Sequence, residues 1–332
     1  MSRSGRLATQ GWKSSGRRKH TPDTIADVSD EARLGPIGFR ISATRGDGLD
    51  WQRLDRTWAI AGEREVFSAG WLSDHLSDAS SERGGAAFEA FTTAAALAHR
   101  VPGKWIGIAV AANTFRHPAL LAKEATLLDI VTGGRFILGL GAGWHVGEHG
   151  AFGIELPAPP ERFDRYESAL RVLSALFSEE ARTSPGVTLA DPIFPLDRAT
   201  NEPQPVTPTG PPLWLGGQRR RGIGLIARYA SGWPLPGNRA GDVAYFVGMR
   251  DRILEALESA GRDPALFTFA GQVDCGSTAA DRRAALETAI RFLRAGAQHV
   301  ILGIPAAVAP DSLPEMIREV AQPLRKASLP PG

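Results

Sequence analysis

The chain has 332 residues, enough for one large barrel or two ordinary domains, and its 43% hydrophobic and 22% charged residues exclude both a disordered chain and an integral membrane protein. The formal charge of +2 hides an asymmetry: six of the 38 Lys/Arg lie in residues 1–20 without any acid, leaving 32 against 36 Asp/Glu and a body of net −4. The one cysteine, Cys275, excludes an internal disulfide framework and a cysteine-rich metal site, and no run approaches the roughly 18 apolar residues of a membrane span.

Residues 1–35 are expected to form a disordered basic extension; they carry no helix-turn-helix or RNA-recognition pattern, so no nucleic-acid partner is expected. Arg17-Arg18-Lys19-His20 is followed by the polar stretch Thr21 to Glu31 rather than by an apolar core, which argues against export and for a cytoplasmic setting. From Pro36 onward, short β-type runs alternate with helical patterns, with Gly or Pro between them. The predicted strands are Ile37 to Ile41, Ser68 to Leu72, Trp105 to Ala111, Arg135 to Leu140, Leu213 to Gly216, Ser231 to Leu235, Leu266 to Ala270 and His299 to Ile304. After the fourth strand, Phe163, Tyr166, Leu170, Leu173 and Phe177 make one apolar helical stripe. Before the eighth, Leu286, Ile290 and Leu293 line a helix that stops at Gly296, a residue suited to a left-handed cap.

Each crossover helix returns the chain in the same direction, so eight βα units make parallel sheet. They close most economically as a single (β/α)8 TIM barrel over residues 36–330, with a doubly wound open sheet as the alternative. Residues 181–212, rich in Pro, Thr and Gly, form an insertion before the fifth strand and are expected to run over the barrel mouth.

In a barrel, chemistry gathers where the strands end. After the second strand, Asp74 and His75 put a carboxylate and an imidazole side by side, either as a turn-capping pair or as a proton-handling group. After the third, Asn113 is suited to the edge of a ring or a carbonyl, Arg116 to an anion or an acidic partner, and Pro118 to a first helical turn. The fourth strand ends in Gly139-Leu-Gly-Ala-Gly143-Trp144, whose glycines let a flat ligand approach, with Trp144 as a wall. Trp144 stands where a dinucleotide fingerprint needs its third glycine, so that fingerprint is excluded. His145, Glu148 and His149 suggest a metal, but the Gly-rich segment reads as non-helical, and no metal site is expected. After the fifth strand, Gly216-Gly217-Gln218 and Arg219 to Arg221 read as an anion site at a helix start or as a solvated basic turn.

These residues resemble the bacterial luciferase-like superfamily of flavin-dependent (β/α)8-barrel oxidoreductases, from Pro36 to about Pro305. The stretches that carry the resemblance are Asn113-Thr-Phe-Arg-His-Pro-Ala-Leu-Leu-Ala-Lys123, Leu128 to Trp144 with Glu148, Gly153 and Arg162, Pro211-Pro-Leu-Trp-Leu-Gly-Gly217 and Ala227-Arg-Tyr-Ala-Ser-Gly-Trp233. The chain looks most similar to the branch that uses the 8-hydroxy-5-deazaflavin coenzyme (coenzyme F-420), while FMN-using branches share many of the same motifs. The resemblance implies that Asp74 and His75 flank the ring, with His75 handling the proton. It also implies a non-prolyl cis peptide at Ala109-Val110 behind the ring, further ring contacts from Asn113, Gly143 and Trp144, and a phosphate-binding turn at Gly216, Gly217 and Gln218.

Two departures limit what carries over. The family's sugar-phosphate dehydrogenases have a catalytic glutamate directly after the fourth-strand glycines, where this chain has Trp144, and the usual aspartate at the sixth strand is Ser231. The expected activity is hydride transfer between the cofactor ring and a small organic substrate. The alternatives are an FMN-dependent monooxygenase served by a separate flavin reductase, and a non-catalytic partner subunit. A homodimer is the usual family assembly.

Overall fold

Alternating side chains along eight short strands build the wall of a barrel, and the helices that separate them cover it. The computed structural model describes residues 34–41, 50–78, 85–305 and 309–328; the expected disordered extension, apart from its last two residues, lies outside them. The strands are β1 (Ile37–Ile41), β2 (Ala69–Leu72), β3 (Trp105–Ala112), β4 (Phe136–Gly141), the hairpin pair β5 (Val187–Leu189) and β6 (Leu196–Ala199), then β7 (Leu213–Leu215), β8 (Gly232–Pro234), β9 (Thr268–Asp274) and β10 (His299–Ile304). All but the hairpin pair close into a parallel barrel in the order β1-β10-β9-β8-β7-β4-β3-β2. The closed barrel, not the open sheet, is therefore the fold. Around it lie α1 (Trp51–Gly62), α2 (Ala90–Leu97), α3 (Pro118–Val131), α4 (Val146–Phe152), α5 (Pro159–Leu176), α6 (Arg220–Tyr229), α7 (Val243–Ser259), α8 (Ala279–Arg294), α9 (Leu313–Met316) and α10 (Gln322–Ser328).

The strand period of two divides β1 cleanly. Phe39 points outward to pack edge-on against Trp58 and Phe67, at 5.0 and 5.2 Å between ring centres, while Gly38 faces the interior indole of Trp71. Trp71, Trp105, Ile137, Trp214, Ala270 and Ile301 fill the inside of the barrel as a second, separate apolar cluster. Glycine makes room for these indoles: a Cβ at Gly107 would stand 2.2 Å from a Trp71 ring carbon. Tyr166, Leu170, Leu173 and Phe177 of the predicted α5 stripe are buried and Phe163 is half-buried, and the Tyr166 hydroxyl donates to the Leu140 carbonyl at 2.7 Å, tying the helix to β4. Gly296 takes φ +89 just after α8, the left-handed conformation foreseen for it.

His299 sits fully buried in this inner layer. Trp71 Nε1 donates to its Nε2 at 3.0 Å, so its Nδ1 carries the hydrogen and donates to the Gly35 carbonyl at 2.6 Å. Burial pushes the imidazole down from 6.5 to about 4, against the opposing pull of the Gly35 carbonyl. The unfolded chain thus takes up a proton that the folded chain refuses. Stability is complete above the unfolded value and falls as pH drops through this window, by about 2 kcal/mol between pH 6.5 and pH 5. Urea midpoints across that range in a Glu124→Gln background, which removes the carboxyl that titrates in the same window with the opposite sign, check the expectation; a flat profile there would show that His299 is not held neutral.

Two sequence expectations need correction. The seventh barrel strand begins at Thr268, not Leu266, and extends to Asp274. Gln272 and Asp274 break the apolar pattern because they meet Arg40 of β1, whose Nη1 donates to Gln272 Oε1 at 2.9 Å and Nη2 to Asp274 Oδ1 at 3.0 Å. The insertion at 181–212 makes its contacts with the outer helices rather than across the mouth. Asn201 Nδ2 donates to Thr126 Oγ1, Thr207 N and Oγ1 donate to Asp129, and Phe194 packs on His117, all three partners belonging to α3 or its cap. The physical reason is local. The chain leaves at the end of α5 and re-enters at the start of β7, so the groove between α3 and α5 is the nearest surface to cover.

The anchor of the insertion is Asp191, whose buried carboxylate accepts from Ser168 Oγ, from Arg171 Nε at 2.7 Å, and from the amides of Ile193 and Phe194 at 2.9 and 3.0 Å. Burial opposes its charge, but these donors hold the carboxyl well below the usual range. Asp191→Ala strips four donors of their acceptor and is expected to destabilise the fold by about 2–4 kcal/mol. Thermal denaturation reads this directly, and a loss under about 0.5 kcal/mol would mark the anchor as dispensable.

Candidate active site

The ends of β2, β3, β4 and β7 bring the residues expected at the mouth into one neighbourhood, but in unequal roles. Asp74 is buried. Its Oδ1 and Oδ2 accept from Arg116 Nη2 and Nη1 at 2.9 and 2.7 Å, and Oδ2 also accepts from the Ala112 amide at 2.9 Å. This fork-to-fork pair ties the end of β2 to the loop after β3, and resolves Arg116 as the partner of an acid rather than of a free anion. The same guanidinium lies 4.5 Å over the Phe91 ring and reaches Glu89 and, at 3.3 Å, Glu124. One cation thus serves three carboxylates. Burial first, and the neighbouring charges of Glu89 and Asp74, push the Glu124 carboxyl up to about 7 against the pull of Arg116.

His75, the next residue, is partly exposed, and its Nδ1 lies 3.1 Å from Glu148 Oε2. Glu148 is buried and also accepts from the Leu76 and Ser77 amides. Burial alone would raise its carboxyl; the His75 bond and those amides outweigh this and hold it below the ordinary range. Glu148 is therefore ionised at neutral pH and can only accept, which puts the hydrogen on His75 Nδ1 and leaves Nε2 as the reactive nitrogen. The rings of Trp144 and His145 stand edge-on to His75 at 6.2 and 6.5 Å.

The expectation that the segment after Trp144 is non-helical is overturned. α4 begins at Val146 because His145 Nδ1 accepts from the Glu148 amide at 2.9 Å, an imidazole acting as a helix cap. His149 is occupied within the fold, with Nε2 2.7 Å from Thr114 Oγ1 and Nδ1 2.7 Å from the His145 carbonyl. No group of three or more His, Cys, Asp or Glu placed to hold a metal ion occurs among the described residues.

β3 carries a cis peptide at Ala109-Val110 and a register shift between Ile108 and Ala111 against β4, where the resemblance implied a bulge. The Val110 side chain lies over the neighbouring glycines, so that a Cβ at Gly141 or Gly216 would stand 3.0 or 3.4 Å from its Cγ2. Gly143 adopts φ +86, and a Cβ there would meet Thr114 Oγ1 at 2.5 Å. Trp144, 62% exposed, follows at the rim. At the end of β3, Asn113 is buried and its amide donates to the Gly141 carbonyl, but its side-chain Oδ1 has no hydrogen-bond partner. A buried acceptor without a donor marks a place for a ligand N–H or O–H.

At the end of β7, a Cβ on Gly217 would stand 3.1 Å from the backbone of Gly222 in α6, and Gln218 leads into the helix. Of the three arginines that follow, Arg221 is drawn away into contacts with Asp164 and Glu167 at 2.7 and 3.1 Å. A cleft of about 430 Å³ between α5 and α6, lined by Glu167, Arg220, Arg221, Gly224, Leu225 and Arg228, is an outer groove and not the mouth. Sequence reading missed two contributors: Glu148 as the partner of His75, and Arg40 with Gln272 and Asp274 on the opposite wall. Both arise from contacts between segments far apart in the chain that no local spacing signals.

Comparison with known proteins extends this picture. The chain is 30% identical over 259 residues to the phthiodiolone/phenolphthiodiolone dimycocerosates ketoreductase of Mycobacterium tuberculosis, covering 71% of this chain and 63% of that protein, so it spans just under two thirds of the relative. It is likewise 30% identical over 246 residues to the F420-dependent glucose-6-phosphate dehydrogenase of Kribbella flavida, covering 69% of this chain and 70% of that one. A solved F420-dependent secondary alcohol dehydrogenase in complex with an F420-acetone adduct shares the fold at a TM-score of 0.66 and 19% identity, over 90% of this chain and all of that one. With residues 37–324 matching its sequence pattern, the chain belongs to the luciferase-like monooxygenase family.

Proposed function

We propose that the protein is a deazaflavin (coenzyme F-420)-dependent oxidoreductase that moves a hydride between the coenzyme and a small carbonyl or alcohol substrate. The observation that carries this reading is His75, its Nδ1 fixed by the buried, ionised Glu148, standing beside a glycine-lined wall with an orphaned acceptor at Asn113. The residues fit a flat heterocycle. Gly141 and Gly216 let Val110 lie flat along the wall, Asn113 Oδ1 is suited to a ring N–H, and the Gly216-Gly217-Gln218 turn is suited to a phosphate. The chemistry such a coenzyme supplies when bound is two-electron hydride transfer at ring carbon C5.

His75 Nε2 supplies the proton to a carbonyl oxygen during reduction, or takes it from a hydroxyl during oxidation. Glu148 holds the imidazole in register. Asp74 with Arg116 fixes the backbone that presents His75. Trp144 shields one side of the substrate from water. Two relatives described as F420-dependent and one described as a ketoreductase support this cofactor and reaction class.

FMN is the second reading, favoured by a solved riboflavin lyase with a modified FMN, of the same fold at a TM-score of 0.65; it would bring oxygen insertion and a separate flavin reductase as partner. Fluorescence titration of the purified protein with each cofactor decides between them. Micromolar quenching by the deazaflavin and not by FMN is the expected result. FMN binding alone would replace the reading by the monooxygenase, and binding of neither would replace it by a non-catalytic partner role.

A cytoplasmic setting is part of the proposal: among the described residues no helix is long and apolar enough to cross a membrane, and the one cysteine is a buried free thiol. So is a homodimer. Leu120, Leu127 and Val131 are each at least half exposed on one stripe of α3, beside exposed Ala95 and Ala96 of α2. Leu127→Glu is expected to convert a dimer to a monomer in sedimentation velocity, and a wild-type monomer would end the dimer proposal.

A further inference from the structure

The two halves of the barrel mouth differ in what they present. Toward β3, β4 and β7 the strand ends offer glycine backbone, with the Val110 side chain close to Gly139, Gly141 and Gly216. On the opposite half the strand period of two sets charge in the same layer. Ala270 of β9 and Ile301 of β10 belong to the inner apolar cluster, so Gln272, Asp274 and Gly303 turn inward above them; Gly38 of β1 faces Trp71, so Arg40 does the same. Arg40, Gly303 and Asp274 share one row of the sheet. The glycine between them lets the outer two meet: a Cβ on Gly303 would collide with Asp274 Oδ1 and stand 3.3 Å from Arg40 Nη2.

Arg40, its side chain only 16% exposed, donates through Nη2 to Asp274 Oδ1 at 3.0 Å and through Nη1 to Gln272 Oε1 at 2.9 Å, and Gln272 Nε2 donates in turn to the Leu235 carbonyl after β8. This chain of bonds holds the Asp274 carboxylate from one side. Its side chain is 48% exposed, and among the described residues Oδ2 accepts no hydrogen bond. The strands do not need the pair, because backbone ladders already join β1 to β10 and β10 to β9. A largely buried ion pair is also often no more stabilising than apolar side chains of its size. A desolvated charge pair at the strand ends, across the mouth from the wall proposed for the coenzyme, is placed for recognition.

Its charges define what it recognises. Arg40 and Asp274 cancel, so the pair exerts no net pull on an ion. As the carboxylate partner of Arg40, Asp274 can only accept at Oδ2, which welcomes an O–H and repels a second carboxylate or a phosphate. We propose that Asp274, held by Arg40, is a specificity-determining residue that accepts a hydrogen bond from a substrate hydroxyl, so that the enzyme prefers neutral hydroxyketones, or the corresponding diols in the oxidative direction, over plain ketones and over oxo acids. The inference rests on the hydride-transfer reading and deepens it by naming the substrate class. The row Asp274, Gly303, Arg40 continues to Trp71, four residues before His75, so the reacting carbonyl faces the end of β2 and the hydroxyl lies toward β9.

The test compares aliphatic ketones of equal length, in several lengths, that end in a methyl, a hydroxyl or a carboxylate, using the intact protein with the reduced deazaflavin coenzyme. Wild type is expected to show a kcat/KM about tenfold or more higher for the hydroxyl-ended than for the methyl-ended ketone, carried mainly by KM, and lowest for the carboxylate-ended one. Asp274→Asn, whose amide can donate, is expected to raise kcat/KM for the carboxylate-ended ketone by about tenfold, a gain that loss of a merely structural pair would not produce. Arg40→Met/Asp274→Leu removes both charges together and is expected to bring the hydroxyl-to-methyl ratio close to one, with coenzyme affinity in fluorescence titration close to wild type. A wild-type ratio near one, a ratio that survives in the double variant, or no gain in Asp274→Asn overturns the assignment and leaves the cofactor reading standing, as does coenzyme binding without turnover of any ketone. Failure of wild type to bind the coenzyme overturns both.

Discussion

Replacing His75 by alanine is expected to lower turnover by about 10²–10⁴-fold, the range for loss of a positioned proton-transfer group, while coenzyme affinity stays close to wild type. The separation follows from the geometry. The imidazole is only partly exposed at the rim, whereas the glycine wall, Asn113 and the phosphate turn belong to β3, β4 and β7 and are untouched by the change. Glu148→Gln keeps the shape and removes the charge, so it should produce a smaller loss in the same parameter. Steady-state rates on the best substrate from a ketone screen, paired with fluorescence titration, measure both effects. Unchanged turnover in His75→Ala would remove His75 from the mechanism, and a Glu148→Gln loss exceeding that of His75→Ala would show that the carboxylate acts directly.

The second large effect is on stability. Arg116→Met keeps an apolar stem over Phe91 but withdraws the one cation that Asp74, Glu89 and Glu124 share. The Asp74 and Arg116 side chains are almost wholly buried, so the carboxylate left behind cannot turn to water. The expected cost is about 3–5 kcal/mol, which lowers the melting temperature by roughly 6–15 °C in a barrel of this size. Asp74→Asn should be milder, because Arg116 then retains two acids. Differential scanning calorimetry on both variants tests the ordering; a more damaging Asp74→Asn would mean that the Ala112 amide contact, not the shared cation, is what matters.

The same arrangement explains how one sequence motif divides its labour. Asp74 and His75 are adjacent and read as a matched pair, yet the alternation of a chain leaving a strand sends them to opposite environments. Asp74 turns into the protein and is consumed by Arg116; His75 turns to the mouth and is steadied by Glu148. In the same way the run Arg219 to Arg221 reads as one basic cluster, but the helical turn that starts there carries Arg221 to the acids of α5 and leaves Arg219 and Arg220 exposed.

The alternation of strand and helix was legible in the sequence, while closure into a barrel rather than an open sheet came from the strand pairing. Strand runs, the α5 stripe and the glycine stop at Gly296 are local patterns, and each is a property of a few consecutive residues that survives any tertiary context. The glycines of β4 and β7 were legible for the same reason, since a missing side chain can be read directly. Only the tertiary structure decided which polar groups meet. Asp74 and Arg116 lie 42 residues apart, His75 and Glu148 lie 73 apart, and Arg40 and Asp274 lie 234 apart. The path of residues 181–212 along α3 and α5, and the helical start at His145, belong to the same class. Such pairings depend on strand register, helix rotation and the cost of leaving a buried charge alone, quantities that exist only once the barrel has closed.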